Sequence, residues 1–213
     1  ESQLFNPALR PKLPGADDAL ALARDLVESR GLLPELAEPA RWGDPVVAGT
    51  RLAVLQRKRR KDVDLDVQVV FPIMIGDLPI VGGGGDFTVV FGGAGAPIGF
   101  HGAWRNVADR FESTMISTKH AEAEFRRMHR EIGTELESVT SYLAYYSAPA
   151  GEHQEFLYPV HVIGGRFRSG ETSMPLRQIL VPASEFGPRR PPTEPEEPRE
   201  RGAMPPGRRS KGR

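Results

Sequence analysis

Cysteine is missing from all 213 residues, which removes thiol catalysis, disulfides and thiolate metal sites while leaving the redox compartment open. No apolar run approaches the roughly 20 residues that a membrane-spanning helix needs. A net charge is lacking too: 28 Lys and Arg stand against 28 Asp and Glu, which argues against general nucleic-acid binding. No signal-peptide pattern is present, and the chain opens at Glu1 rather than Met, as a mature or trimmed form would. The remaining composition, 39% hydrophobic, can bury the core of one ordinary domain or of two small ones plus a tail.

The chain is organised around residues 76–105. A short apolar run leads to four glycines, Gly82, Gly83, Gly84 and Gly85, and then to a strand in which Phe87, Val89 and Phe91 alternate with Asp86, Thr88 and Val90. Gly92, Gly93 and Gly95 form a turn, and residues 97–104 return as a second strand. The pattern predicts a β-hairpin with a preceding arm. A glycine cluster can also cradle phosphate, but such loops run from a strand into a helix and need a nearby Lys or an acidic ribose contact. Here strand leads to strand and no Gly-Lys-Ser/Thr occurs, so no cofactor is assigned.

Before the hairpin, residues 1–15 carry three prolines and read as an irregular lead-in. A first helix is expected after Gly15, capped by Asp17 or Asp18, with Ala19, Leu22, Ala23, Leu26 and Val27 on its core stripe and Gly31 at its end. Pro34, Pro39 and Pro45 make residues 31–45 a connecting loop with Trp42 as a packing lid. Residues 46–57 and 63–71 read as strands around a charged turn. In the second, Val63, Leu65, Val67 and Val69 alternate with Asp62, Asp64, Asp66 and Gln68. Arg57, Lys58, Arg59, Arg60 and Lys61 could form an anion site, but a solvated turn beside its own acidic neighbours is the favoured reading. The aspartates, two residues apart, line one strand face rather than surround an ion.

After the hairpin, Ser117 or Thr118 caps a second helix that runs to Ile132, with Ala121, Phe125, Met128 and Ile132 as its apolar stripe and Gly133 as its stop. Residues 139–147, 155–163 and 174–181 follow as strands, and Pro159 suggests an edge position for the middle one. Two similar passages, each a helix followed by antiparallel strands, occupy residues 16–108 and 109–186. Their sum is an α+β fold with helices on one face of a curled sheet. Phe87, Phe91, Ile98, Leu22, Leu26, Phe125 and Met128 are its expected core. Residues 187–213 hold seven prolines and eight basic against four acidic residues; with so few apolar groups they read as a disordered linker or terminus.

A search for catalytic sets finds little. None of the five histidines, His101, His120, His129, His153 and His161, lies in a His-Glu-x-x-His motif, and His120 with Glu124 is a His-carboxylate pair on the second helix. Such pairs are mostly structural. Ser147 and Ser184 lack the Gly-x-Ser-x-Gly elbow. No catalytic, cofactor-binding or metal-binding residue is assigned.

The segment 67–104, with Asp77-Leu78-Pro79-Ile80-Val81-Gly82 leading into the Phe87 strand, the turn at Gly92 to Gly95 and the Ile98 strand, resembles the PepSY family and the related propeptide domains of fungalysin and thermolysin-like metalloproteases. It departs at Asp77, where glycine is usual, although Gly76 lies one residue earlier. The second helix, the strand at residues 139–146, Leu157-Tyr158-Pro159-Val160-His161-Val162 and Leu180-Val181-Pro182-Ala183 resemble the second repeat of such proteins, so that the resemblance covers roughly residues 16–183. It implies two cystatin-like repeats in a non-enzymatic, secreted or cell-envelope bacterial module acting as protease prodomain, inhibitor or assembly chaperone. A structural subunit of an extracellular or envelope assembly and an enzyme of unrecognised type are the alternatives. In the first reading the partner is another protein, and Gly82 to Gly85 with Gly92, Gly93 and Gly95 are its expected exposed contact edges, since glycine permits close backbone approach.

Overall fold

The computed structural model describes residues 12–56, 59–107, 109–110, 112–131, 135–169 and 171–184, and the side chains of these except 53–61 and 169. The expected tail, most of the lead-in, Arg57, Lys58, Ile132 and Gly133 lie outside the described residues.

Helix α1 spans Ala16–Arg30. Gly15, not Asp17 or Asp18, is its N-cap and makes no side-chain bond; the two aspartates sit in the first turn, where they oppose the positive end of the helix dipole. Gly31 ends it in the left-handed conformation, its N–H reaching the last carbonyls. Ala19, Ala23 and Val27 are buried, and the small side chains let the helix lie close to the sheet. Leu22, read as core, is 41% exposed. The helical rotation from one residue to the next sets it beside the buried row, and it flanks the contact instead.

Strand β1 is Ala40–Trp42, β2 Val46–Ala48, β3 Arg51–Gln56, β4 Arg59–Asp64 and β5 Val67–Ile75. The expected loop 31–45 therefore holds a strand, because the free edge of β5 offers Ile73, Met74 and Ile75 as partners to β1. Trp42 packs half-buried against the α1 cluster, its indole N–H donating to the Pro34 carbonyl at 3.1 Å. The expected single strand over 46–57 breaks at Gly49, where a Cβ would stand 2.8 Å from the Asp66 carbonyl. The strand expected at 63–71 also divides: Val63 and Asp64 belong to β4, which among the described residues pairs only with β3, Leu65 and Asp66 lie between the strands, and residues 67–71 belong to β5. Strand β4 includes Arg59, Arg60 and Lys61, so the basic run extends into a ladder rather than filling a turn.

Strands β6, Leu78–Gly82, β7, Asp86–Phe91, and β8, Pro97–Ala103, form the expected arm and hairpin. Helix α2 spans Thr118–Glu131, and the Ser117 hydroxyl accepts the His120 N–H, as a cap does. Strands β9, Leu136–Ser147, β10, Tyr158–Ser169, and β11, Thr172–Pro182, complete the chain. The strand order is β11-β10-β9-β6-β5-β7-β8, with β1 and β2 on the other side of β5. All pairs are antiparallel except β6 with β9, which run parallel. The fold is thus α+β, with two helices and a mostly antiparallel mixed sheet.

Register carries one face across that sheet. Val69, Phe71 and Ile73 share it with Ile80, whose neighbour across the parallel pair is Tyr145, and Tyr145 lies beside Pro159 on the face of His161 and Ile163. Helix α1 packs on Val69, Phe71, Phe87, Val89 and Phe91; α2 packs on Ile163 through Ala121 and Phe125. Both helices therefore lie on one face. A further cluster of Ala144, Val160 and Val162 occupies the other. Met128, read as core, is exposed: the row 121, 125 continues at i+4 to His129, whose ring lies 4.3 Å from that of Phe125. Ile98 is exposed as well. Nor is β10 an edge strand, since it pairs with both β9 and β11; Pro159 is accommodated as its second residue, before the β11 ladder begins at Val160.

Candidate functional site: the glycine arm and the outer hairpin strand

Three of the four glycines at the β6–β7 step, Gly82, Gly83 and Gly84, are held against the end of β9 and the connection that follows it. A Cβ at Gly83 would stand 2.6 Å from Pro149 Cα, and one at Gly84 2.5 Å from Ser147 Oγ. A Cβ at Gly82 would collide with the Ser147 carbonyl, and the backbone there is left-handed, with φ of 104°. Gly85 is closed in by Ile80, at 2.6 Å. Gly82 and Gly83 reach the surface, but Gly84 and Gly85 are buried, contrary to their expected exposure. The close approach that their missing side chains allow is spent inside the chain.

Arg105, just past β8, crosses the same place. Its Nε donates to Ser147 Oγ at 3.2 Å, and Nη2 donates to the carbonyls of Ala148, Pro149 and Glu152 at 3.2, 3.2 and 2.9 Å. The loop it grips is braced by Gln154, which accepts from the Ala148 N–H at 2.6 Å and donates to the carbonyls of Tyr146 and Phe156 at 3.0 and 2.7 Å. Sequence reasoning passed over Arg105. Its signal was only a lone arginine at the end of a hairpin.

At the turn, Gly92 is buried, again unlike its expectation, while Gly93 is exposed and Gly95 half-exposed. A short 3₁₀ turn covers Gly93–Gly95. Its left-handed positions are Ala94, with φ of 58°, and Gly95, with φ of 72°. The Ala94 N–H donates to the carbonyl of Lys12 at 2.7 Å, which ties the approach to α1 onto the hairpin tip.

Strand β8 ends the sheet, and among the described residues no strand pairs with its outer side. Phe100 lies opposite Val89 and so faces the α1 side, while Ile98 stands at a register shift in the β7–β8 ladder; each is 63% exposed. Phe100 meets Phe87 with ring centroids 6.0 Å apart, and a Cβ at Gly95 would touch Leu22. Ile98 and Phe100 thus leave an uncovered apolar strip along β8, with Leu22 exposed beside the hairpin tip. The alternation of Ile98 and Phe100 with Gly99 and His101 was visible in the sequence. That the strand is outermost was not, because pairing order is a tertiary property.

Several of the polar groups singled out in the sequence make structural contacts. His161 is buried, its Nε2 2.7 Å from the Ile116 carbonyl and its Nδ1 3.5 Å from the Thr118 hydroxyl, which ties the start of α2 to β10. His153 stands 3.8 Å from Glu155 at the surface. The Glu124 carboxyl is held below its ordinary range, chiefly by its hydrogen bond from Arg127, with a smaller contribution from His120. Ser147 is the Arg105 acceptor, and Ser184 sits in an isolated bridge with Met115. Asp64 pairs with Arg51 at 2.7 Å, whereas Asp66 accepts from the Thr50 N–H at 2.9 Å. Among the described residues no group of three or more metal-ligating side chains converges, and no helix is long and apolar enough to cross a membrane.

Compared with protein-family models, curated proteins and solved structures, the chain matches none.

Proposed function

We propose that the chain is a non-catalytic protein-binding module that accepts an extended segment of another protein along the outer side of β8. The observation that carries this reading is the strand's position at the sheet edge with Ile98 and Phe100 both 63% exposed. An unpaired edge supplies a row of backbone donors and acceptors, and side chains on one face supply apolar grip. The contact moves from the glycines to the strand they precede, since three of the seven are buried. The PepSY-like and propeptide resemblance supplies the class: an inhibitor, prodomain or chaperone of secreted or envelope bacterial proteins, requiring no cofactor.

The test is titration of the full chain against thermolysin-like metalloproteases, reading the hydrolysis rate and the hydrogen exchange of residues 97–103. Binding should slow exchange in β8. Replacing Phe100 by Lys should weaken it by roughly tenfold or more, the scale of losing one buried Phe contact. Inhibition that leaves β8 exchange unchanged, or that Phe100→Lys does not touch, overturns the edge as the site; no inhibition of any enzyme overturns the inhibitor class.

A further inference from the structure

We infer that the ribbon of β3 and β4 is a docking surface for anionic lipid headgroups, carried by the basic run Arg57, Lys58, Arg59, Arg60 and Lys61. The ribbon forms a separate sheet from β8, so its use is independent of that edge. Its register sorts the charges along its length. At the base the Thr50 carbonyl accepts the Leu65 N–H at 2.8 Å, Arg51 stands opposite Asp64, and Val63 is buried. At the other end Val54, Leu55 and Gln56 pair with Lys61, Arg60 and Arg59, and residues 57–58 lie between the two strands in the chain. The nearby acids are engaged at the base: Asp64 pairs with Arg51 at 2.7 Å, and Asp66 accepts from the Thr50 N–H at 2.9 Å and from Gln68 Nε2 at 3.1 Å. With Asp62 counted against the five cations, residues 57–62 keep a net charge of +4.

Among the described residues neither strand pairs with any other strand, and neither makes extensive contact with another element. Antiparallel strands rise about 3.4 Å per residue, so the steps from Arg51 to Gln56 carry the run about 17 Å from its base. That exceeds the Debye length of about 8 Å at physiological ionic strength. The distance decides between anionic partners. The chain is neutral as a whole, so everything outside residues 57–62 carries a compensating −4. The end of the ribbon can touch a lipid surface while that remainder stays beyond the screening length, whereas a long nucleic acid lying along the chain would meet it. No aromatic residue occurs in 49–66 to stack on bases. Strand β3 instead contributes Leu52, Val54 and Leu55, aliphatic residues that suit the boundary between headgroups and acyl chains. Clusters of this size attract anionic lipid with roughly a fivefold gain in affinity per Lys or Arg.

The test is co-sedimentation of the full chain with vesicles of mixed phosphatidylglycerol and phosphatidylcholine, set against phosphatidylcholine alone and against a mixed-sequence DNA duplex. The chain should pellet with the anionic vesicles, and raising salt from about 0.1 M to about 1 M, which shortens the Debye length from about 10 to about 3 Å, should release it. Arg60→Gln and Lys61→Gln should each weaken binding roughly fivefold, and Arg59→Gln, Arg60→Gln and Lys61→Gln together roughly a hundredfold. Arg59→Lys with Arg60→Lys should bind as wild type does, because a charged surface reads the charge and not the guanidinium fork. Melting temperatures check that the variants fold, and the single changes carry the test if the triple one does not. Equal binding to both kinds of vesicle, binding to neither, or tighter binding to the duplex overturns the lipid surface. So does an equal loss from Arg208→Gln, Arg209→Gln and Lys211→Gln, which would place the attraction in the other basic stretch of the chain. The two proposals fail separately: the triple glutamine variant should still act on metalloproteases as wild type does, and vesicle binding by a chain that inhibits none would sustain the ribbon while overturning the inhibitor class.

Discussion

A methyl group separates the two uses of glycine in this chain. At Gly83 a Cβ would meet the backbone of Pro149 at 2.6 Å, a neighbour that cannot turn aside, whereas at Gly99 it meets nothing within 4 Å. Gly83→Ala should therefore destabilise by about 1–3 kcal/mol, the ordinary cost of overpacking. Gly99→Ala should leave the melting temperature level or slightly raised, since alanine restricts the unfolded chain and strains nothing. Thermal unfolding of the pair checks this, and equal losses would show that β8 is closed in. Phe125 gives the complementary measurement. It is wholly buried between α2 and the sheet, so Phe125→Ala should cost about 3–5 kcal/mol through lost contacts and a cavity. An unchanged midpoint would detach the helix from the core.

Among elements, the far end of the β9–β11 sheet depends on an ionised carboxylate. Glu137 accepts from the Ser173 hydroxyl and from Arg168 Nε at 2.9 Å, and these bonds hold its carboxyl below the ordinary range. A group whose folded value is depressed stabilises above its unfolded value and loses that contribution as pH falls through the folded one. The melting temperature should therefore decline from about pH 5 downward. Glu137→Gln should flatten part of that decline, the remainder belonging to groups such as Glu124, similarly depressed beside Arg127. An unaltered acid slope in the variant would mean that these bonds do not outlast solvent competition.

Local pattern revealed the elements better than their neighbours. Helix α1 and its glycine stop, the capped start of α2, and the β7–β8 hairpin follow from periodicity and turn residues within a few positions. Strand β1 did not, because Ala40–Trp42 is a strand only through the free edge of β5. Pro159 pointed to an edge that does not exist, since a proline near a strand's start forfeits little. Ile98 read as core because alternation marks a face, while burial requires something to lie on it, and Ile98 stands at a register shift on the outermost strand, 63% exposed. The uncovered strip, now the candidate site, is the difference between those two conditions.

At the scale of the molecule, the α1-bearing and α2-bearing parts of the sheet are joined narrowly. Their shared ladder is the parallel pairing of β6 with β9, registered at Ile80, Val81 and Gly82 against Tyr145, Tyr146 and Ser147. The glycines pack on the connection that follows β9, and Arg105 fastens it through one hydroxyl and three carbonyls. A guanidinium can do this because its donors form a planar fork; an ammonium of similar reach cannot satisfy the same spread of acceptors. Arg105→Ala should lower stability by on the order of 2–3 kcal/mol, the scale of losing charged hydrogen bonds and leaving their acceptors to find water. Arg105→Lys should recover little of it. The seam also predicts the form of the loss: exchange should rise first at residues 80–85 and 146–149, ahead of Phe91 and Ile163 in the cores beneath the helices. Hydrogen exchange of the two variants resolves this, and a uniform rise across both cores would instead make Arg105 one more contributor to a single cooperative unit.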